Sequence, residues 1–263
     1  MDKFVSVITE TVVPTNSIAL FRLEQSHFII KTAGSVLVHI DPFLSRVIEP
    51  KNHIYPEPLM APNAAQADYV FLTHDHHDHC DPHTIRPMAQ ANPDCVFVGP
   101  PETIARSRDC GVSADKLVIM QEGDEEDFDT FKVKAVFAQE TTDDEADATT
   151  HIGYVFDFAG AHIYNVGDTR NNISDIIHRY DAVKELHPKS MLVPINEGYN
   201  NPGPRGASQL VELVKPHLIV PCHFDCFRDN TIAPSRFVEA LPEERRGDVQ
   251  IMARGDRLFI SSG

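Results

Sequence analysis

The sequence predicts an α/β (α+β) fold in which two sheets face each other with helices outside, a four-layer αββα arrangement. Three observations carry this expectation: a β-rich opening, a middle that alternates strands with helices, and a β-hairpin after which the alternation resumes. The 263 residues read as one domain, 1–263, with no interior linker, short repeat or low-complexity segment. A chain of this size can bury roughly 70–75% of its unfolded surface, so a substantial core is available.

Local pattern justifies each element in turn. "SIALFRLE", "HFIIKT" and "SVLVHID" are β-rich runs separated by turns and read as antiparallel strands, the last leading into "DPFLS". After the proline-rich "KNHIYPEPLMAPN", "YVFLT" is an apolar strand bounded by polar residues. A helix is predicted over "PHTIRPMAQA", interrupted by Pro87. The strand "CVFVG" follows, then a helix over "PPETIARSRDCG" with proline at its start and glycine at its end. "KLVIM" and "FKVKAVFA" read as strands separated by the acidic turn "QEGDEEDFD", and "HIGYVFDFAGAHIYNV" as a hairpin turning at Ala159 and Gly160. In "NISDIIHRYDAVKELH" the residues Ile173, Ile176, Ile177, Tyr180 and Val183 fall at helical spacing, which predicts one amphipathic helix. The strand "SMLVPI", a helix in "GASQLVELVK", the strand "HLIVPC", and a last helix with two short strands complete the order.

Composition narrows the function classes. With 42% hydrophobic and 24% charged residues the chain has the make-up of a soluble globular protein. A formal charge of −16 repels polyanions, so a nucleic-acid partner is disfavoured and a small-molecule substrate expected, with a homo-oligomer left open. No apolar run approaches the ~20 residues needed to cross a bilayer, and no membrane partner is expected. The N-terminal "MDKFVSVITETVVPTNS" lacks a basic segment followed by a long apolar core, so the expected location is cytoplasmic. Cys80, Cys95, Cys110, Cys222 and Cys226 are odd in number and lack a framework spacing; they are expected to be reduced packing residues.

The chemistry concentrates in "FLTHDHHDHCDPHTI", where four histidines and two aspartates fill the positions from His74 to His79. Imidazole and carboxylate are the usual ligands of zinc, iron and manganese, and loops braced by strands deliver them. His74 and His76 stand two apart after a strand, a spacing that turns both rings to one side of an extended segment. Asp78 and His79 can then reach a second point, while Asp75 and His77 are expected to support the loop from the other side. Two further strand ends carry ligand types: Asp168 after Gly167 in "IYNVGDTRNN", and His223 in "LIVPCHFDCF". Alone, Asp168 reads equally well as a turn residue and His223 as a core histidine; they gain weight only together with the first motif.

These motifs, in this order, resemble the metallo-β-lactamase-fold hydrolases, and within them the L-ascorbate-6-phosphate lactonase branch. "THDHHDHCDP", "IYNVGDTRNN", "NEGYNNPGPRG" and "LIVPCHFDCFRDN" carry the resemblance, which spans nearly the whole chain. It implies an αββα sandwich of the metallo-β-lactamase type, a metal site along one edge, and one or two divalent ions (zinc, manganese or iron) that activate water. His74, His76, Asp78, His79, Asp168 and His223 are then the expected ligands, with Asp78 and Asp168 also catalytic. Many superfamily members place another histidine after the strand corresponding to "FKVKAVFA"; this chain continues "QETT", which makes Glu140 a candidate ligand or base, with His151 as its competitor.

The expected reaction is hydrolysis by a metal-activated water, opening a lactone of a small, optionally phosphorylated, sugar acid. Tyr199, Asn200 and Arg205, from the Gly/Pro-rich loop after "SMLVPI", together with Arg170, are the expected substrate contacts, an arginine being suited to a carboxylate or phosphate. Two readings compete: a phosphodiesterase acting on a small or lipid-derived diester through the same site, and a non-catalytic metal-binding protein.

Overall fold

The computed structural model describes residues 3–139 and 149–262. Its strands, in chain order, are β1 (Ser17–Arg22), β2 (Phe28–Thr32), β3 (Leu37–Ile40), β4 (Tyr69–Phe71), β5 (Val96–Gly99), β6 (Leu117–Ile119), β7 (Glu125–Asp127), β8 (Lys132–Gln139), β9 (His151–Phe158), β10 (Ala161–Asn165), β11 (Ser190–Pro194), β12 (Leu218–Cys222) and β13 (Arg257–Ser261). The helices are α1 (Lys3–Glu10), α2 (Pro82–Ala91), α3 (Pro101–Asp109), α4 (Ile173–Ile176), α5 (Asp181–Glu185), α6 (Gly203–Val214) and α7 (Pro234–Ala240).

The strands form two mixed sheets, ordered β13-β1-β2-β3-β4-β5-β6 and β12-β11-β10-β9-β8-β7. In each, an antiparallel half gives way to a parallel half, at β3 in the first sheet and at β10 in the second. The period-two alternation of the strands decides what lies on each face. Along β1, Ile18 and Leu20 enter the core between the sheets, where they join Phe71, Tyr154, Phe156, Leu192 and Val220. Ala19 and Phe21 point the other way, onto Phe4, Val5 and Ile8 of α1 and Ile85 and Met88 of α2. On the far sheet Tyr164, Met191 and Val193 pack under Ile173, Leu210, Val211 and Phe237 of the second set of helices. The result is helix, sheet, sheet, helix, as the sequence predicts.

Four local details differ from the sequence expectation. α1 lies in a segment rich in the β-branched residues Val5, Val7, Ile8 and Thr9, which hides a helix; its buried Phe4, Val5 and Ile8 share one helical face, and tertiary packing overrides propensity. α2 runs through Pro87 unbroken, because the proline forfeits only the bond to the carbonyl of His83, on the exposed side. The amphipathic stretch from Ile173 divides into α4, a 3₁₀ turn over Ile177–Tyr180, and α5. The acidic turn holds β7, paired to β8, and the chain ends in one named strand, β13. The hairpin at Ala159 and Gly160 turns where expected, with φ of 53° and 95°. No helix among the described residues is long and apolar enough to cross a membrane.

Candidate metal centre

The site gathers at the ends of β3, β4, β10 and β12 and the start of β9. Asp41, just past β3, is fully buried with φ of 45°. Its carboxylate accepts from the Thr73 backbone N–H and hydroxyl, both at 2.8 Å, and from His79 Nδ1 at 2.8 Å. That last bond fixes which proton stays when the ring binds a cation: Nδ1 keeps its own toward Asp41, and Nε2, the nitrogen facing the cluster, is the one that would ligate. The carbonyl of Thr73 accepts from Ile152 N–H of the opposite sheet at 3.1 Å, and this stitch brings His151 onto His74, their rings stacked 4.1 Å apart.

Gly167 positions Asp168. Its φ is +68°, and a Cβ there would stand 2.8 Å from the Ile152 carbonyl oxygen, so only glycine lets the backbone pass this close. Asp168 Oδ1 lies 3.5 Å from His79 Nε2 and Oδ2 lies 3.3 Å from His223 Nε2. His223, at the end of β12 with φ of 59°, places Nε2 3.4 Å from Asp78 Oδ2 and 3.3 Å from His79 Nε2.

Three overlapping donor groups result, each with its ligand atoms within 4.8 Å of one another: His74, His76 and His151; His74, His79 and Asp168; and Asp78, His79 and His223. They fit divalent cations. Imidazole nitrogens confront one another, His74 Nε2 against His76 Nδ1 at 2.9 Å, where at most one proton fits between two lone pairs, and His79 Nε2 against His223 Nε2 at 3.3 Å. Both ring nitrogens of His151 and Oδ1 of Asp168 are buried without a hydrogen-bond partner among the described residues, and a cation would supply one. Another group, Glu24, His53 and Cys226, does not fit: Arg46 at 2.6 Å and Arg254 at 2.6 Å already neutralise the Glu24 carboxylate.

The electrostatics follow from burial and partners. Burial and the neighbouring imidazoles push His74 well below the ordinary histidine range, and burial with His76 brings His151 to about 3. Burial also opposes protonation of His79 and His223, but there the carboxylates of Asp168 and Asp78 prevail and hold them at about 9 and about 10. Asp78 and Asp168 stay ionised despite burial, their carboxyls held far below the usual range by His79 and His223.

Above the cluster opens a cavity of about 600 Å³. Phe43, Ile48, Phe227 and Tyr199 give it an apolar side, and Glu49, Asp229 and Asn52 line its polar side.

A family model described as the beta-lactamase superfamily domain matches residues 20–223. The chain belongs to this superfamily. It is 28% identical over 201 residues to a UPF0173 metal-dependent hydrolase of Archaeoglobus fulgidus, covering 74% of this chain and 78% of the relative. It is 26% identical over 244 residues to one of Methanosarcina mazei, covering 90% and 96%. Among solved structures it resembles an isothiocyanate hydrolase from Delia radicum gut bacteria (TM-score 0.73, 20% identity, 92% of this chain and 99% of that one). It also resembles Igni18, a metallo hydrolase of Ignicoccus hospitalis (TM-score 0.71, 20% identity, 93% and 99%). At these identities the structures establish a shared metallo-β-lactamase fold.

Within this superfamily member the six expected ligands, His74, His76, Asp78, His79, Asp168 and His223, come together, and His151 joins them. Glu140 lies outside the described residues. Asp75 lines the cavity outside the donor groups and pairs with Arg106 at 2.8 Å, and His77 is exposed. Tyr199 and Asn200 line the cavity, both with positive φ, whereas Arg205 is exposed in the first turn of α6, outside the lining residues. Arg170 is close enough to His151 to oppose its protonation but is not a lining residue. All five cysteines are buried free thiols, pushed up by burial, as packing residues should be. Sequence reasoning missed Asp41 and Gln25. Asp41 carried a faint signal, an aspartate closing an apolar strand before proline; Gln25 carried none.

Proposed function

We propose that this chain is a metal-dependent hydrolase that uses a metal-activated water to open the ring of a small lactone, such as that of a sugar acid. The observation that carries the reading is the set of donor groups, overlapping at His74 and His79 and lying at the base of a cavity of about 600 Å³. His74, His76 and His151 would hold one divalent ion, zinc, manganese or iron, and Asp78, His79 and His223 a second, with Asp168, which lies against His79 and His223, completing the donor set. Such an ion lowers the pKa of its water toward about 7 and polarises a carbonyl oxygen. The chain's own residues do the rest. Asp41 and Thr73 orient His79 and His74, and Asp78, with its carboxylate at the cavity base, takes up and passes on the proton released on attack.

The lining supports an uncharged acyl substrate over a phosphorylated one or a phosphodiester. Glu49, Asp75 and Asp229 line the cavity together with the site carboxylates, and Arg106, the one lysine or arginine among the described lining residues, is taken by Asp75. A phosphate would find no free cation there. The test offers metal-reconstituted protein a panel of neutral lactones, phosphorylated lactones and phosphodiesters. Metal-dependent turnover of neutral lactones is expected; turnover of the diesters alone would replace this reading, and turnover of none with metal bound would leave a binding protein.

A further inference from the structure

The turn joining β1 to β2 reaches across to the second sheet and touches the metal cluster at one residue. Gln25 is fully buried, with φ of +54°, a conformation that a non-glycine residue keeps only where its surroundings over-determine it. Its carbonyl accepts from His223 N–H at 3.0 Å, across 198 residues of sequence. Its side-chain Nε2 donates to Asp78 Oδ2 at 2.8 Å and lies 3.2 Å from His223 Nε2. The amide orientation is fixed by chemistry, because a carboxylate only accepts and the reversed amide would set two acceptors together. Oε1 is left buried without a hydrogen-bond partner among the described residues.

Every one of these bonds falls on one side of the site. Oδ2, the Asp78 oxygen that Gln25 holds, is also the one nearest His79 (3.6 Å) and His223 (3.4 Å). The orientation of His74, His76 and His151 comes from Thr73, from one another and from the Ile152 stitch.

Resting on the metal-dependent reading above, we propose that Gln25 is a positioning residue for one of two ions: it holds Asp78 and His223 in register and thereby sets the affinity of the Asp78–His79–His223 group alone. Partners that orient metal ligands change affinity by roughly 10–100-fold when removed. Gln25 would act at that level on one binding step and leave the other untouched.

The variant that tests this is Gln25→Asn. Asparagine tolerates positive φ better than glutamine, so the turn should form, but its side chain is one methylene too short to reach Asp78. Gln25→Gly, which suits the same backbone and has no side chain, is the second variant. Metal-free proteins would be titrated with zinc against a competing chelator to obtain stepwise constants, with thermal unfolding of each metal-free variant as the folding check. Wild type should show two steps. In both variants one step should weaken by about 10–100-fold while the other stays within about twofold. With His151→Ala added, the step that survives should be the one sensitive to Gln25. Two unchanged constants, or two weakened equally, would overturn the role of Gln25 and leave the metal reading standing. A wild type that binds no zinc would remove both.

Discussion

The two halves of the site lie side by side, linked by the group of His74, His79 and Asp168, yet their electrostatics run in opposite directions. Around His151 the donors are imidazoles, and burial drives the proton off, His151 to about 3. Around His223 the carboxylates of Asp78 and Asp168 outweigh burial and bring the same ring type to about 10. Identical side chains with almost identical burial end on opposite sides of neutrality because of what faces them. One half is thus ready at neutral pH to accept a cation, whereas the other stores protons that a cation has to displace.

Removing Asp168 should have the largest effect. Asp168→Ala deletes the carboxylate grouped with His74 and His79 and leaves His79 and His223 without their strongest carboxylate partner. Turnover of the best lactone should fall by on the order of 10³-fold, since a bound metal supplies several kcal/mol of transition-state stabilisation. Metal analysis of the same protein should show loss from both halves. Full activity with full metal content would separate Asp168 from the chemistry and dissolve the comparison.

The difference was partly legible in the sequence. His74 to His79 announce themselves because four ligand-type residues sit in one loop after a strand, and Asp168 and His223 follow once other strand ends are searched for the same residue types. His151 was legible only as a competitor to Glu140. Its nearest ring, His74, is 77 residues away (151 − 74), and the contact depends on the Ile152 bond between sheets, which no local pattern encodes. Gln25 is further from view, because a glutamine in a turn looks like any solvated loop residue until the sheets close over it. The four-layer order was readable for the opposite reason: strand alternation and helix spacing are local, and they survive assembly unless a β-rich helix such as α1 conceals itself.

A moderate effect sharpens the contrast between halves. Zinc binding measured calorimetrically at pH 7 in buffers of different ionisation enthalpy should reveal about two protons released from the Asp78–His79–His223 half, because both imidazoles lie above pH 7 in the metal-free protein. His74 and His151, both held low, should release almost none. His151→Ala should abolish the step without proton release and preserve the other. Equal proton release from both steps would show that the carboxylates do not divide the site as their positions imply.

The smallest effect concerns a pair of histidines outside the cluster, which shows what burial does without carboxylate or cation. His27 Nε2 donates to His39 Nδ1 at 3.0 Å, His39 Nε2 donates to the Gln66 carbonyl at 2.9 Å, and Phe43 N–H donates to His27 Nδ1 at 3.3 Å. The chain of bonds is satisfied only with both rings neutral. Burial lowers His27 well below its ordinary range and His39 to about 4. With the folded pKa below the unfolded value near 6.5, the unfolded chain takes up the proton first. The stabilisation from His39 is therefore complete above about pH 6.5 and is lost as pH falls toward 4, by about 3 kcal/mol. In the upper part of that window His79 and His223 act in the opposite sense: already protonated in the folded metal-free protein, they favour the fold more as the unfolded chain takes up its protons near pH 6.5, and their contribution is level only below about pH 5.5. Urea unfolding of metal-free wild type and His39→Gln between pH 7 and pH 4 isolates the effect, since the other histidines cancel between the two proteins. The variant should be less stable at pH 7 and lose less stability on acidification. Parallel curves would mean that the pair tolerates a proton, and that burial alone does not account for the low pKa values of His74 and His151.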